Sequence, residues 1–153
     1  MWVSDYEKFA FVLRDALKKK QVVLSRKIKY EYEPLWAIRA VEREEKDYRE
    51  LSEADFYSQE EKDYYGGKKR PRGVSYAFSG DIGKYSCSFF KTKRSIANAL
   101  RLPQKGRKLA IGILINSYGG ILHKESKPHI HLFRYDNVVP AFEIIDYNKL
   151  KDK

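Results

Sequence analysis

All three histidines of the chain fall within nine positions, at His123, His129 and His131. Residues i and i+2 of a β-strand point to the same face, so we expect His129 and His131 to present their imidazoles side by side to one divalent ion. If the preceding hairpin turn centres on Ser126, His123 pairs across from His129 and joins them on that face. The same alternation fits histidines with a purely structural role, and the residues alone leave both interpretations open.

The segment over residues 127–133, KPHIHLF, resembles the His-hydrophobic-His strand of the HUH endonucleases, the family of rolling-circle replication initiators and plasmid relaxases. His123 and Glu125 stand where that family carries an upstream histidine and acid. The resemblance implies a Mg²⁺ or Mn²⁺ ion held against a scissile phosphate by His129 and His131, joined by one of these two upstream residues. A metal in that position would polarise the phosphoryl oxygens.

The resemblance also implies a tyrosine nucleophile. Tyr147, followed by Lys151, resembles the family's YxxxK element. Its phenolate would attack the phosphodiester and form a covalent 5′-phosphotyrosyl link. In relaxases the tyrosine lies near the amino terminus instead, and that position nominates Tyr6, Tyr30 or Tyr32.

A metal nuclease without a tyrosine nucleophile would need carboxylates near the histidines. Glu143 is the candidate catalytic carboxylate, and the strand register decides whether it reaches them. A two-residue turn between the last two strands sets His131 opposite Phe142. A three-residue turn sets His131 opposite Glu143, on the same face. The acids near the expected sheet are Asp81, Glu125, Asp136, Glu143 and Asp146.

Positive charge is concentrated in the second half of the chain. The whole sequence carries 31 Lys and Arg against 21 Asp and Glu, a net charge of +10. Residues 1–66 hold 13 bases and 15 acids, whereas residues 67–153 hold 18 bases and 6 acids. Such a one-sided block is typical of a surface that binds a polyanion, so nucleic acid is the expected partner, with DNA favoured over RNA. The residues expected to contact it are Lys68, Lys69, Arg70, Arg72, Lys91, Lys93, Arg94, Lys105, Arg107 and Lys108.

Length and composition indicate one folded domain over residues 1–153. With 42% hydrophobic residues, the chain can bury enough apolar surface to fold. A single cysteine, Cys87, excludes an internal disulfide and favours an intracellular, reducing compartment. The longest apolar run, residues 109–115, is far shorter than the roughly 20 residues of a membrane helix. The amino terminus carries acids where an export signal carries bases. We therefore expect no membrane partner.

Residues 1–66 are predicted to be mainly helical, on the basis of apolar residues at helical spacing and of capping residues. The predicted elements are a helix over residues 5–20, a half-buried strand over residues 27–33, a helix with Pro34 in its first turn that runs to Leu51, and a helix over residues 53–65 capped by Ser52.

Residues 67–153 are predicted to be rich in β-strands. A short helix begins at Thr92 or Ser95 and ends at Leu102, and its basic amino end is a place where a phosphate could bind. The predicted strands are a hairpin within residues 74–89, a central strand over residues 109–116, and an antiparallel meander over residues 121–123, 128–135 and 139–147.

These patterns together predict an α+β fold, in which amino-terminal helices pack on a carboxy-terminal antiparallel sheet. The expected function is nucleic-acid binding, with metal-dependent endonucleolytic cleavage of DNA if the histidines hold a metal. The alternative is a non-enzymatic DNA- or RNA-binding accessory protein whose histidines are structural. A third interpretation is an adaptor that binds another protein through the acidic stretch over residues 39–63, which holds 10 acids and 5 bases.

Overall fold

A computed structural model describes residues 3–41, 43, 46–66, 82–100, 108–124 and 126–150. This part of the chain forms a six-stranded sheet with helices packed on it, so the predicted α+β class is confirmed. The strands are β1 (Leu35–Val41), β2 (Cys87–Phe90), β3 (Lys108–Leu114), β4 (Gly119–His123), β5 (His129–Arg134) and β6 (Glu143–Asp146). The helices are α1 (Phe11–Lys18), α2 (Gln59–Tyr65) and α3 (Lys93–Leu100), with short 3₁₀ helices at Val3–Lys8, Glu53–Phe56, Ile82–Tyr85, Asn116–Tyr118 and Tyr147–Lys149.

The strands lie in the order β4-β5-β2-β1-β3-β6, and every neighbouring pair is antiparallel. β4 and β5 form the predicted hairpin, but β6 pairs with β3 rather than with β5, so the predicted meander is wrong. The chain between β5 and β6 crosses the sheet instead, and the Phe142 ring packs on Phe89 with centroids 5.4 Å apart. Gly112 on β3 leaves the room for this crossing, because a Cβ there would lie 2.6 Å from the Phe142 ring.

The helix predicted from Pro34 to Leu51 is wrong, because Leu35–Val41 forms β1. This strand pairs along its whole length with β3 and is flanked on its other side by β2. Its side chains enter the cores on both faces, as Ala37 and Ile38 show. A strand buried on both faces loses the polar and apolar alternation by which a strand is recognised, and the sheet overrides the helix propensity of its residues.

The amino-terminal helices are shorter than predicted. The helix predicted over residues 5–20 consists of the 3₁₀ helix Val3–Lys8 followed by α1. The strand predicted over residues 27–33 is reduced to an isolated bridge between Lys29 and Ile121 of β4. The helix predicted over residues 53–65 is split into a 3₁₀ turn and α2, which has its own cap at Ser58.

The second half follows the prediction more closely. β3 is the predicted central strand, since it lies between β1 and β6. α3 carries the predicted cap, in which Ser95 N donates to Thr92 Oγ1 at 3.1 Å. The predicted hairpin within residues 74–89 lies partly outside the described residues, and its described end contains β2. In the described part of the chain, no helix has the length and apolar character needed to span a membrane.

Both faces of the sheet are covered. One face carries an aromatic cluster in which Phe56 stacks on Phe89 with centroids 6.2 Å apart. On the other face, α1 packs Leu13 against a cluster that contains Phe133 of β5. α3 packs Ile96 against β1 and β3 in a separate cluster on that same face. Neither helix covers the stretch of β5 and β2 that lies between them.

Arg39 of β1 joins the sheet to the segment that precedes α2. Its guanidinium donates to the carbonyl oxygens of Ser88 at 2.9 Å, Asp55 at 2.9 Å and Tyr57 at 3.0 Å. In the described part of the sheet, β1 and β2 are in register at one residue pair. The guanidinium therefore holds β2 beside β1 where the backbone ladder has stopped.

Replacing Arg39 with lysine is expected to lower the free energy of unfolding by about 2–3 kcal/mol. Lysine keeps the charge but lacks the planar fork, so at least one buried carbonyl loses its donor. The measurement is urea denaturation followed by tryptophan fluorescence. The matched control is Arg49→Lys, since the Arg49 side chain is 80% exposed, and its expected change is within about 0.5 kcal/mol. Equal denaturation midpoints for the two variants would contradict the role given to Arg39.

Candidate functional site

His129 and His131 lie on the same face of β5, as their spacing predicts. Their ring centroids are 4.1 Å apart. The His129 ring also stacks on Phe90 of β2, with centroids 4.8 Å apart and ring planes within 10°. Phe90 packs against the α3 cluster and Phe133 belongs to the α1 cluster, so this histidine pair occupies the strip of sheet between the two helices.

Each imidazole has one nitrogen that faces the protein. Nδ1 of His131 lies 2.8 Å from Oγ of Ser86, whose side chain is buried. Nε2 of His129 is buried and has no hydrogen-bond partner among the described residues. By exclusion, Nδ1 of His129 and Nε2 of His131 are the nitrogens that remain for a ligand.

Both imidazoles are held in the neutral form near pH 7. Burial and, to a smaller extent, the neighbouring His129 together lower the pKa of His131 to about 4. Burial also lowers the pKa of His129. The cause at both rings is the cost of moving a charged ring out of water, and at His131 a positive charge on the neighbouring His129 adds to it. Neutral imidazoles can accept or donate a proton at their free nitrogens.

A pocket of about 910 Å³ opens at the histidine pair. Its walls come from residues 25–29 and from the turn between β4 and β5. Among the described residues, the lining includes no Asp or Glu, and its cationic side chains are all exposed and form no ion pair with another described residue. These five cations are Arg26, Lys27, Lys29, Lys124 and Lys127. The pocket is therefore positively charged and open to an anion.

The first wall is attached to the edge of the sheet at one point. Lys29 N donates to Ile121 O at 2.8 Å, and Ile121 N donates to Lys29 O at 2.9 Å. Gly120 lets this wall lie directly on β4, because a Cβ there would come within 2.8 Å of the Ile28 side chain. Cations from the amino-terminal part of the chain are thereby placed beside histidines from its other end.

His123 does not join the pair on its face of the sheet. It lies opposite Ile130 on β5 rather than opposite His129, so the predicted register is wrong by one residue. Directly paired residues point to the same face, so His123 is on the face opposite to the pair at this position of the strand. Its Nε2 lies 3.2 Å from the carbonyl oxygen of Lys127. Glu125 lies outside the described residues.

Glu143 and Tyr147 are not brought to the histidine pair. His129, Phe90 and Glu143 lie in one row across the sheet, but β5 and β6 are four strand spacings apart, roughly 19 Å. Neither predicted register between His131 and β6 occurs, because the two strands do not pair. The ring of Tyr147 lies under the Lys93 ammonium, 4.4 Å from its centroid, and packs against the α3 cluster.

The tyrosines nominated near the amino terminus also lie outside the pocket lining. The hydroxyl of Tyr32 is 2.8 Å from two backbone carbonyl oxygens, and burial raises its pKa. Tyr6 and Tyr30 pack against the α1 cluster. A phenol with a raised pKa is a poor source of phenolate, so Tyr32 is not an activated nucleophile.

The described residues do not fit a Mg²⁺ or Mn²⁺ ion at the pair. Both ions prefer oxygen ligands, whereas the pair offers two imidazole nitrogens. Among the residues that the structure describes, no group of three or more His, Cys, Asp or Glu side chains is placed to hold a metal. The exposed cations around the pocket would also repel a divalent ion.

The basic residues predicted to contact nucleic acid differ in their exposure to solvent. Arg94 is exposed on α3, while Lys91 and Lys93 are half-buried at its start. Lys108 is a correction, because its side chain is 1% exposed and its ammonium pairs with Asp146 at 2.9 Å. A buried, paired lysine holds β3 to β6 and cannot contact a phosphate. The positions that lie outside the described residues are Lys68, Lys69, Arg70, Arg72, Lys105 and Arg107.

The five pocket cations were not among the predicted contacts. Lys124 and Lys127 stand inside the histidine cluster of the sequence, and that proximity was the signal available. Lys27 and Lys29 alternate with other residues like the outer face of a strand, and about one hundred positions separate them and Arg26 from the histidine pair. Only the bridge to β4 reveals that they belong to the same site.

Comparison with known proteins adds no relative: no family model matches the chain, and no curated protein or solved structure matches it.

We expect the His131 imidazole to titrate near pH 4, and His129 to titrate below its ordinary value of 6.5. Unfolded His131 binds its proton near pH 6.5, so between pH 6.5 and 4 the unfolded chain binds more protons than the folded one. The stability of the wild type relative to His131→Gln should therefore fall as the pH drops through that window. NMR titration of the imidazole resonances and urea denaturation of both proteins check this, and a His131 midpoint near 6.5 would contradict it.

Proposed function

We propose that this protein binds nucleic acid, with backbone phosphates held in the positively charged pocket at the histidine pair. The observation that carries the proposal is the set of five exposed cations that line the same pocket as the pair, without any acid among the described lining residues. A solvated face of an ordinary domain mixes charges of both signs, because like charges repel. A one-sided group of lysines and arginine is stabilised by a polyanion, which releases counterions when it binds.

The neutral imidazoles suit the floor of such a pocket. Nδ1 of His129 and Nε2 of His131 can donate hydrogen bonds to phosphate oxygens without adding a charge that the protein must bury when it is empty. The pocket also adjoins α3, because Lys91 N donates to Pro128 O at 3.0 Å next to the histidine strand. Exposed Arg94 extends the basic surface along that helix. Phosphates on either side of the pocket would then meet further cations.

The double substitution Lys27→Gln, Lys127→Gln is expected to weaken nucleic-acid binding and to reduce its salt dependence. Removing two phosphate contacts should lower the slope of log affinity against log salt by about 1 to 2. The measurement is fluorescence anisotropy with labelled single-stranded RNA and DNA of one sequence, over a series of salt concentrations and in EDTA.

The matched control removes two charges elsewhere, as Lys20→Gln, Lys46→Gln, at exposed positions that do not line the pocket. The control should keep the slope of the wild type. If both double variants weaken binding equally, net charge rather than the pocket attracts nucleic acid. If the wild type binds neither RNA nor DNA, the proposed function is wrong.

A further inference from the structure

We propose that the histidine pair cleaves RNA without a metal ion, using the 2′-hydroxyl of the RNA as the nucleophile. This inference rests on the proposed nucleic-acid binding and names the substrate class of the same site. It replaces the metal-dependent cleavage of DNA that the sequence suggested.

The described residues of the pocket supply no nucleophile that is ready to attack phosphorus. Its described lining contains no thiol, phenol or carboxylate. The one hydroxyl in it, that of Ser25, accepts a hydrogen bond from Lys27 N at 3.1 Å. Cys87 is fully buried on the opposite face of the sheet, and burial raises its pKa. A covalent enzyme intermediate therefore has no candidate among these residues.

Attack by water is disfavoured for a different reason. Water becomes a strong nucleophile near neutral pH when a metal ion lowers its pKa, and the described residues do not fit such an ion. A phosphodiester that brings its own nucleophile needs no such ion, because the attacking hydroxyl is already held next to phosphorus. RNA brings its nucleophile as the 2′-hydroxyl next to each phosphate, whereas DNA has no such group.

Two imidazoles supply what this reaction needs. The lone pair of one imidazole takes the proton of the 2′-hydroxyl as the 2′-oxygen bonds to phosphorus. The other imidazole, in its protonated form, gives its proton to the 5′-oxygen as the bond between that oxygen and phosphorus breaks. The products are a 2′,3′-cyclic phosphate and a 5′-hydroxyl end. The two rings finish with their protonation states exchanged and recover them through water, so no further reactant is consumed.

The geometry of the pair matches these roles. The hydrogen bond between Ser86 Oγ and His131 Nδ1 fixes that ring, and in the tautomer whose proton is on Nδ1 its Nε2 carries the lone pair that accepts the proton. The buried Nε2 of His129 leaves Nδ1 of that ring as the proton donor. The rings are 4.1 Å apart, so both can reach oxygens of a single phosphate. An anionic phosphodiester bound at the two free nitrogens favours the protonated form of one ring, and the lysines that line the pocket stabilise the charge that develops on the other phosphate oxygens.

The experiment compares three labelled single strands of one sequence, made of RNA, of 2′-O-methyl RNA and of DNA, each incubated with the full chain in EDTA and in Mg²⁺. Binding is followed by anisotropy, and products are resolved on a gel with an assay for the cyclic phosphate. We expect cleavage of the RNA alone, at equal rates in EDTA and Mg²⁺, with cyclic phosphate ends. The other two strands should bind and remain intact.

His129→Gln and His131→Gln should each slow RNA cleavage by about 100-fold or more while binding persists. Tyr147→Phe keeps the ring under Lys93, so this variant should cleave RNA at the wild-type rate. If Tyr147 were the nucleophile, the same variant would lose cleavage completely. If a histidine variant fails to fold and loses binding, the comparison of RNA, 2′-O-methyl RNA and DNA with the wild-type protein still decides whether the 2′-hydroxyl is the nucleophile.

The outcomes separate this inference from the proposed function. RNA that binds but stays intact overturns the inference and leaves the binding proposal standing. Cleavage that requires Mg²⁺, or cleavage of DNA or 2′-O-methyl RNA, also overturns the inference. If none of the strands binds, both proposals are wrong.

Discussion

Arg39 holds together three parts of the fold that the backbone alone joins weakly. β1 is the strand on which β3 is aligned, and β2 carries β5 on its far edge. Between β1 and β2, however, the described ladder is in register at a single pair, and the guanidinium supplies the next bond to Ser88. Ser88 lies directly opposite His131. The position of the histidine pair relative to the rest of the sheet therefore depends on this one buried side chain.

The chemistry of the pair follows from where the helices leave the sheet uncovered. α1 and α3 pack on the same face and bury the apolar ends of the strip that contains the two imidazoles. The rings are buried enough to lose much of their hydration, which lowers their pKa, yet one nitrogen of each remains for a ligand. The cations stay on the rim, where water solvates them, rather than beside the rings. Placing charge at the rim and neutral groups on the floor lets the empty pocket avoid a large desolvation cost.

The sequence was sufficient for features that depend on local periodicity. The side-by-side arrangement of His129 and His131 follows from the two-residue repeat of a strand and was predicted on that basis. The cap of α3 at Thr92 and Ser95 was equally local. β1 could not be recognised, because a strand buried on both faces carries no alternation of polar and apolar residues. The order of the strands could not be predicted either, because it depends on the path of Phe142 over Gly112. Arg26, Lys27 and Lys29 of the pocket were missed for a related reason, since they come from a distant segment.

The single bridge between Lys29 and Ile121 gives the two sides of the pocket unequal rigidity. The floor belongs to β5, which is hydrogen-bonded to a strand on each side, whereas the wall formed by residues 25–29 meets the sheet through two backbone hydrogen bonds. Segments with few such bonds open at a lower free energy than a central strand does. The mouth of the pocket can thus widen while the floor, with its two imidazoles, keeps its alignment.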